Sequence, residues 1–241
     1  MDHACRSVRT TELASEAGFD LLELHMAHAY TLSSFLSRLN ARKDEYGGSL
    51  ENRLRYPLEV FKAMRAAWPG HLPMSVRISA SDWVEGGITP SDAVQIGKAF
   101  KAAGADLIDC SSGQVSKKEK ITFGRMFQTP FADRVRQEAG IATMAVGAIS
   151  EADHANSIVA AGRADLCAVA RPHLADPAWT LHEVARLAPA LDSAPARALE
   201  WPRPYWSGRD QLYREAAKQR VAQAGLSPAQ AAQALAREAG I

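Results

Sequence analysis

Two histidines and a tyrosine follow a short apolar run near the start of the chain. His25, His28 and Tyr30 come directly after Leu21–Leu24. Two imidazole N–H groups at this spacing can hold one carbonyl or phenolate oxygen, and polarising that oxygen makes a conjugated β-carbon a better hydride acceptor. The phenol of Tyr30 is suited to deliver a proton to the α-carbon. Core histidines or half of a metal site are the alternatives, although no third ligand stands at a fitting spacing, so we expect no metal.

Arginine and glycine residues stand at the ends of three later apolar runs. The guanidinium of Arg77 lies within a buried run and therefore needs an anionic partner, for which a carboxylate on the next strand is one candidate. Gly147 and Arg171 follow the last two runs, where barrels commonly bind phosphate. Glycine lets a backbone N–H approach an anion, and the guanidinium of arginine can donate hydrogen bonds to two phosphate oxygens at once. A structural turn is the alternative for Gly147.

A repeated unit must position these residues: a helical stretch, a glycine, then a short apolar run. The runs are Leu21–Leu24, Met74–Ile78, Leu107–Ile108, Ala142–Val146 and Leu166–Ala170. The glycines before them are Gly18, Gly70, Gly104, Gly140 and Gly162. Glycine just past a helix end adopts the left-handed conformation at little cost, and short apolar runs without alternation are typical of parallel strands buried on both faces.

Helix starts are marked by threonine and proline. Thr89 and Thr129 each precede a proline, and each has an aspartate three or four residues further on. A capping hydroxyl, a first-turn proline and a first-turn acid together predict the N-terminus of a helix. We therefore expect both threonines to act as N-caps.

Strands that alternate with helices at this spacing predict βαβ units and a parallel sheet. The glycine-rich phosphate loop that a doubly wound sheet usually carries is missing, which favours a barrel. Closing a barrel takes eight strands, and the chain opens in a helix at about Thr10–Ala17. The predicted fold is therefore an α/β (β/α)₈ TIM barrel, N-terminally truncated to about five of its eight units. Residues 1–188 would form this partial barrel, and residues 189–241 a C-terminal tail with short helices, one beginning at Ser227.

Composition gives no sign of a polyanionic or membrane partner. The chain has 28 basic and 27 acidic residues, a net charge of +1, and 47% hydrophobic residues. It shows neither an apolar run long enough to span a bilayer nor a signal peptide, so we expect a cytoplasmic protein that binds neither nucleic acid nor membrane. The spacing of Cys5, Cys110 and Cys167 indicates reduced thiols.

Motifs throughout the chain occur in one order and at suitable spacing. They are His25–Tyr30, Phe35–Ser37, Asp44–Arg53, Val76–Ser79, Asp109–Gly113, Val146–Gly147 and Arg163–Leu166. Together they closely resemble the signature of the Old Yellow Enzyme family (NADH:flavin oxidoreductases) over about residues 12 to 185. The stretch Trp201–Leu212 also resembles oxidoreductase domains fused behind aromatic acyl-CoA hydroxylases.

This resemblance implies an enzyme that binds FMN and uses NADH or NADPH as reductant. It assigns His25 and His28 to anchoring the substrate, Tyr30 to protonation, and Arg77 to the N1/C2 carbonyl edge of the flavin. Hydride would pass from the nicotinamide through the flavin to an activated alkene, such as an α,β-unsaturated carbonyl or an aromatic acyl-CoA-derived compound.

The same resemblance implies a phosphate site. Gly147, Ala170 and Arg171 would form it, with Ala170 standing where the family has a glycine. The added methyl group would weaken phosphate binding if a close backbone approach is needed there. A second departure is Arg38, which stands where proline is usual.

Two other functional hypotheses stay open. The chain would be a non-catalytic remnant that acts as a folding or assembly module, or a flavin-independent barrel lyase that uses the histidine pair as acid and base. A partial barrel exposes two sheet edges, so we expect a homo-oligomer or an upstream chain that supplies the missing units. The ligand of the enzyme would be a small-molecule substrate.

Overall fold

The structure is a computed structural model that describes residues 3–187, 203–227, 229–230 and 233–234. The chain divides into two compact units. One unit contains Met1–Ile149 and Asp153–Val169, and the other contains Ser150–Ala152 and Ala170–Ile241. This division falls before the predicted boundary at residue 188, which stays a prediction.

The first unit is built on a parallel sheet in the order β1-β2-β3-β4-β5. Its strands are β1 (Leu22–Met26), β2 (Met74–Ser79), β3 (Leu107–Ser111), β4 (Ala142–Val146) and β5 (Leu166–Ala168). Its helices are α1 (His3–Glu16), α2 (Thr31–Leu36), α3 (Leu50–Ala67), α4 (Pro90–Ala102), α5 (Thr129–Ala139) and α6 (Ala152–Ala160), of which α6 begins in the second unit. All five predicted strands form, each pairs with its neighbour in sequence, and the predicted α/β class is confirmed.

The two faces of the sheet differ in chemistry because side chains alternate along each strand. One face is apolar and fully buried: Val76, Ile78, Ile108, Cys110 and Ala145 are all 0% exposed. They share a core with residues of α3 and α4. The other face is polar, and Arg77 pairs in register with His25 on one side and Asp109 on the other.

Four of the five predicted helix stops adopt the left-handed conformation. Gly18, Gly104, Gly140 and Gly162 have φ angles between 63° and 98°. The prediction was wrong at Gly70, which is not among the positive-φ residues. Helix α3 already ends at Ala67, since Trp68 is extended (ψ 139°) and precedes a proline, which disfavours helical backbone at the residue before it.

The two predicted N-caps behave differently. Thr89 forms a capping box with Asp92, in which each side chain accepts a hydrogen bond from the backbone N–H of the other residue. Thr129 does not cap, because helix α5 begins one residue earlier than expected and Gln128 takes the cap position. The hydroxyl of Thr129 is buried without a hydrogen-bond partner among the described residues.

The second unit is helical where it is described. It contains α7 (Arg171–Ala175), α8 (Trp179–Leu187), a 3₁₀ turn (Arg203–Tyr205) and α9 (Trp206–Gln223). Helix α9 has 18 residues and is longer than the short helices predicted for the tail. Residues 188–202 lie outside the described part. At Ser227, where the sequence predicts the start of a helix, the side chain accepts a hydrogen bond from the N–H of Gln230 (3.5 Å). No helix in the described ranges is long and apolar enough to cross a membrane.

We predict that the two threonines differ in their contribution to stability. Thr89→Ala removes a hydroxyl that caps a helix, and should lower the free energy of unfolding by about 1 kcal/mol. Thr129→Val replaces a buried, unpaired hydroxyl with a methyl group, and should leave stability unchanged or raise it. Urea denaturation of both variants checks this, and an equal loss in both would contradict the cap assignment.

Candidate functional site

The turn after β1 holds His28 against the ends of two neighbouring strands. The backbone N–H of His28 donates to Ser79 Oγ at the end of β2 (3.0 Å). Its ring Nε2 lies 2.7 Å from Ser111 Oγ at the end of β3. His28 and Ala29 have φ angles of 60° and 59°, a conformation that is uncommon for residues other than glycine. The backbone of His28 is therefore bound to the end of β2, and its imidazole to the end of β3.

The structure brings His25 and Tyr30 next to His28, as predicted. The ring of His25 lies 5.3 Å from that of His28 and 5.2 Å from that of Tyr30. His25 is on β1, and Tyr30 occupies the N-cap position of α2 with 64% of its surface exposed. The three residues form one cluster at the carboxyl end of β1, which we call the His–Tyr cluster.

Burial and a nearby cation keep both imidazoles neutral. Burial, followed by the positive charge of Arg77 and that of His25, lowers the pKa of His28 to about 4. Burial and Arg77 also lower the pKa of His25, while Glu23 opposes the shift. At neutral pH each ring therefore carries one N–H donor and one acceptor nitrogen.

Arg77 has a carboxylate partner on the next strand. Its Nη1 lies 3.3 Å from Asp109 Oδ2, so the structure contains the internal ion pair that the sequence left open as an alternative. Arg77 Nε and Asp109 Oδ1 are buried and have no hydrogen-bond partner among the described residues. Burial raises the pKa of Asp109 to about 7, with Arg77 opposing the shift and Glu23 adding to it. The guanidinium thus keeps a donor for another acceptor.

The conformation of Gly147 has a structural cause within the first unit. Its φ angle is 104°, and a Cβ there would stand 2.3 Å from Gln128 Nε2. The Gln128 side chain accepts from Ser112 Oγ (2.5 Å) and donates to the carbonyl oxygen of Val146 (3.0 Å). Glycine is needed because Gln128 fills the space beside it, while the phosphate role stays a prediction.

Ala170 and Arg171 belong to the second unit. Ala170 precedes α7, and Arg171 is the first residue of that helix. Both are exposed, and the phosphate role of these two residues stays a prediction.

The glycine turn before α3 supports the fold. Ser49 caps α3 by accepting from the N–H of Asn52. Arg53 is 2% exposed and donates to the carbonyl oxygens of Leu36 and Gly48. The arginine that departs from the family pattern, Arg38, forms an ion pair with Asp92 (3.0 Å).

Sequence reasoning did not predict the hydrogen bonds and the ion pair that join the ends of β1, β2 and β3. In the sequence Ser79, Asp109 and Ser111 stand out only as members of the motifs Val76–Ser79 and Asp109–Gly113. Their pairing depends on strand register, which a single sequence does not give. A carboxylate inside a buried strand was the one available signal for Asp109.

Comparison with known proteins identifies the family. The sequence model of the NADH:flavin oxidoreductase / NADH oxidase family matches residues 3–187. The chain belongs to this family. NADPH dehydrogenase of Geobacillus sp. (strain WCH70) is 50% identical over 167 residues, 69% of this chain and 48% of that protein. NADPH dehydrogenase of Listeria innocua is 37% identical over 194 residues, 80% of this chain and 56% of that protein. The chain thus spans about half the length of these relatives.

Solved structures of the same architecture also match. A 2-naphthoyl-CoA reductase in complex with 2-naphthoyl-CoA superimposes with a TM-score of 0.66 at 26% identity, covering 72% of this chain and 27% of that one. Morphinone reductase gives a TM-score of 0.59 at 26% identity, covering 74% of this chain and 48% of that one. The five βα units are therefore a partial TIM barrel of the family.

Replacing Gly147 with alanine should destabilise the first unit. The methyl group would overlap Gln128 and occupy a left-handed backbone, so we expect a loss of about 2 kcal/mol or more. Gly86→Ala is the matched control, because Gly86 has a φ angle of 74° but nothing within 4 Å of the added Cβ. Denaturant unfolding of both variants measures the difference, and equal losses would show that only the backbone matters.

Proposed function

We propose that this chain carries the substrate-activating part of an FMN-dependent NAD(P)H oxidoreductase that reduces an activated alkene. The observation that carries the proposal is the His–Tyr cluster, two neutral imidazoles 5.3 Å apart beside an exposed phenol. Membership of the NADH:flavin oxidoreductase / NADH oxidase family supports the same reaction.

The residues present fit FMN. The polar face of the sheet carries Arg77, whose buried Nε lacks an acceptor among the described residues, and the carbonyl edge of a flavin supplies one. We propose that Arg77 holds this edge. FMN, when bound, supplies reversible two-electron chemistry that accepts hydride from a reduced nicotinamide and passes it to the substrate.

The protein residues prepare the substrate for that hydride. A neutral imidazole N–H from His25 and one from His28 would bind a single carbonyl oxygen and withdraw charge from the conjugated alkene. Ser111 contacts Nε2 of His28 and Ser79 binds its backbone, so the ring is oriented before substrate binds; with Ser111 Oγ donating to Nε2, the Nδ1–H is the donor left for the substrate. Tyr30 would then protonate the α-carbon, and its exposure lets the proton be replaced from solvent.

The substrate we propose is an α,β-unsaturated carbonyl compound, including aromatic acyl-CoA thioesters. The His–Tyr cluster selects for one polarisable oxygen conjugated to the reacting bond. The solved neighbour in complex with 2-naphthoyl-CoA supports the thioester, and morphinone reductase is the other similar structure named above.

A second candidate function is favoured by the sheet edges. Strands β1 and β5 are the outer strands of the sheet order, and a closed barrel of this type needs about three further units. We propose that βα units of an upstream chain or of a second copy pair with these edges. If FMN binding depends on them, this chain alone is an assembly module.

We predict that the purified chain, incubated with FMN and desalted, keeps a flavin absorbance band that bleaches anaerobically with NADPH or NADH. A colourless protein would reject cofactor binding by the chain alone and favour the assembly module. Activity without a bound chromophore would favour the flavin-independent lyase.

For the proton donor, we predict that Tyr30→Phe lowers the rate of alkene reduction by about 10²-fold or more. The NADPH-dependent bleaching of the flavin should stay unchanged, because no proton from Tyr30 is needed there. Tyr46→Phe is the control, since Tyr46 packs against Phe35 and Tyr56 away from the His–Tyr cluster. Equal alkene reduction by wild type and Tyr30→Phe would remove Tyr30 from the mechanism.

A further inference from the structure

Three strands place one titratable or charged residue each in a single row. His25, Arg77 and Asp109 are register partners across β1, β2 and β3, and so their side chains point to the same face. The fourth member of the row, Met144 on β4, is uncharged. The row therefore sets a carboxyl group on one side of the guanidinium and an imidazole on the other.

Arg77 and Asp109 make fewer and longer contacts than another arginine–aspartate pair in the same unit. Arg136 binds Asp165 through two hydrogen bonds of 3.0 and 3.1 Å, and this lowers the pKa of Asp165. Asp109 makes a single 3.3 Å contact with Arg77 and leaves Oδ1 without a partner among the described residues. A bidentate pair is locked in its ionised form, whereas a single contact permits protonation.

We propose that Asp109 is the positioning residue of Arg77, and that gain or loss of its proton sets the positive charge that Arg77 presents to the bound cofactor. The assignment of the cofactor edge to Arg77 rests on the proposed function. The coupling between the two side chains does not.

The surroundings of Asp109 allow its carboxyl group to gain or lose a proton near pH 7. Arg77 favours the ionised carboxylate and Glu23 disfavours it, while burial raises its pKa to about 7. The other titratable groups of the site, His25 in the same row and His28, have lowered pKa values and are neutral near pH 7. Above about pH 7 the carboxylate balances Arg77. Below that pH the carboxyl is protonated and the guanidinium charge is unbalanced.

The first test needs no cofactor. The NMR resonance of the Arg77 Nε–H should move between pH 6 and pH 8 in the wild type as Asp109 ionises, and should stay constant in Asp109→Asn. Asp165→Asn is the matched control and should keep the movement seen in the wild type. Equal movement in the wild type and in Asp109→Asn would overturn the proposal.

A second measurement uses the wild-type chain, in case the variant does not fold. The ring resonances of His25 and His28 should show an additional inflection near pH 7 as Asp109 titrates. The indole resonance of Trp68, which donates to the carbonyl oxygen of Pro73 and has no titratable group, is the internal control and should not show it. A single inflection at both cluster histidines would contradict the coupling.

The third measurement concerns the cofactor. The ratio of the Kd for FMN in wild type to that in Asp109→Asn should be about threefold larger at pH 8 than at pH 6, because only the ionised carboxylate cancels Arg77. Because both proteins bind the same ligand, the effect of pH on FMN itself cancels in this ratio. A ratio that does not change with pH means that Asp109 acts only as a packing residue and overturns the cofactor part. No FMN binding, with the NMR coupling present, would reject the proposed function and the cofactor part but leave Asp109 as positioning residue of Arg77.

Discussion

The register of parallel strands is the constraint on which the site depends. Paired residues point to the same face, so each strand contributes one side chain to every row of the sheet. On the covered face the rows are apolar and fully buried, and the helices pack there. On the other face the same register aligns His25, Arg77 and Asp109. Packing of one face therefore fixes the electrostatics of the other.

The charge of Arg77 connects the parts of the site. It contributes to the lowered pKa of His25 and of His28, and it opposes the raised pKa of Asp109. Neutral imidazoles suit the binding of a carbonyl oxygen, and a partly compensated guanidinium suits the binding of an electron-rich edge. In the proposed function one half-buried cation influences both the substrate site and the cofactor site, because Arg77 lies in the row between the imidazole and the carboxyl group.

Much of the architecture could be predicted from sequence, since local signals specify it. Each apolar run became a strand, and β4 has the predicted bounds. The His–Tyr cluster was also predicted, because its members are close in sequence. The failures at Gly70 and Thr129 have local causes, a proline two residues after the helix end and a glutamine that takes the cap position.

What sequence could not supply was the pairing of residues far apart in the chain. Ser111 reaches His28 across 83 residues, and Asp109 meets Arg77 only through strand register. The same limit applies to Gly147, whose need for a small residue comes from the position of Gln128. Periodicity locates a strand but does not align it with its neighbour.

If Arg77 supplies the charge that holds the flavin edge, the affinity of the chain for FMN depends on this side chain. Fluorescence quenching would give the Kd for wild type, for Arg77→Met and for Arg136→Met, whose arginine pairs with Asp165 instead. Arg77→Met should weaken FMN binding about tenfold or more, while Arg136→Met should bind FMN as the wild type does. Equal affinity in all three proteins would mean that Arg77 does not hold the flavin edge.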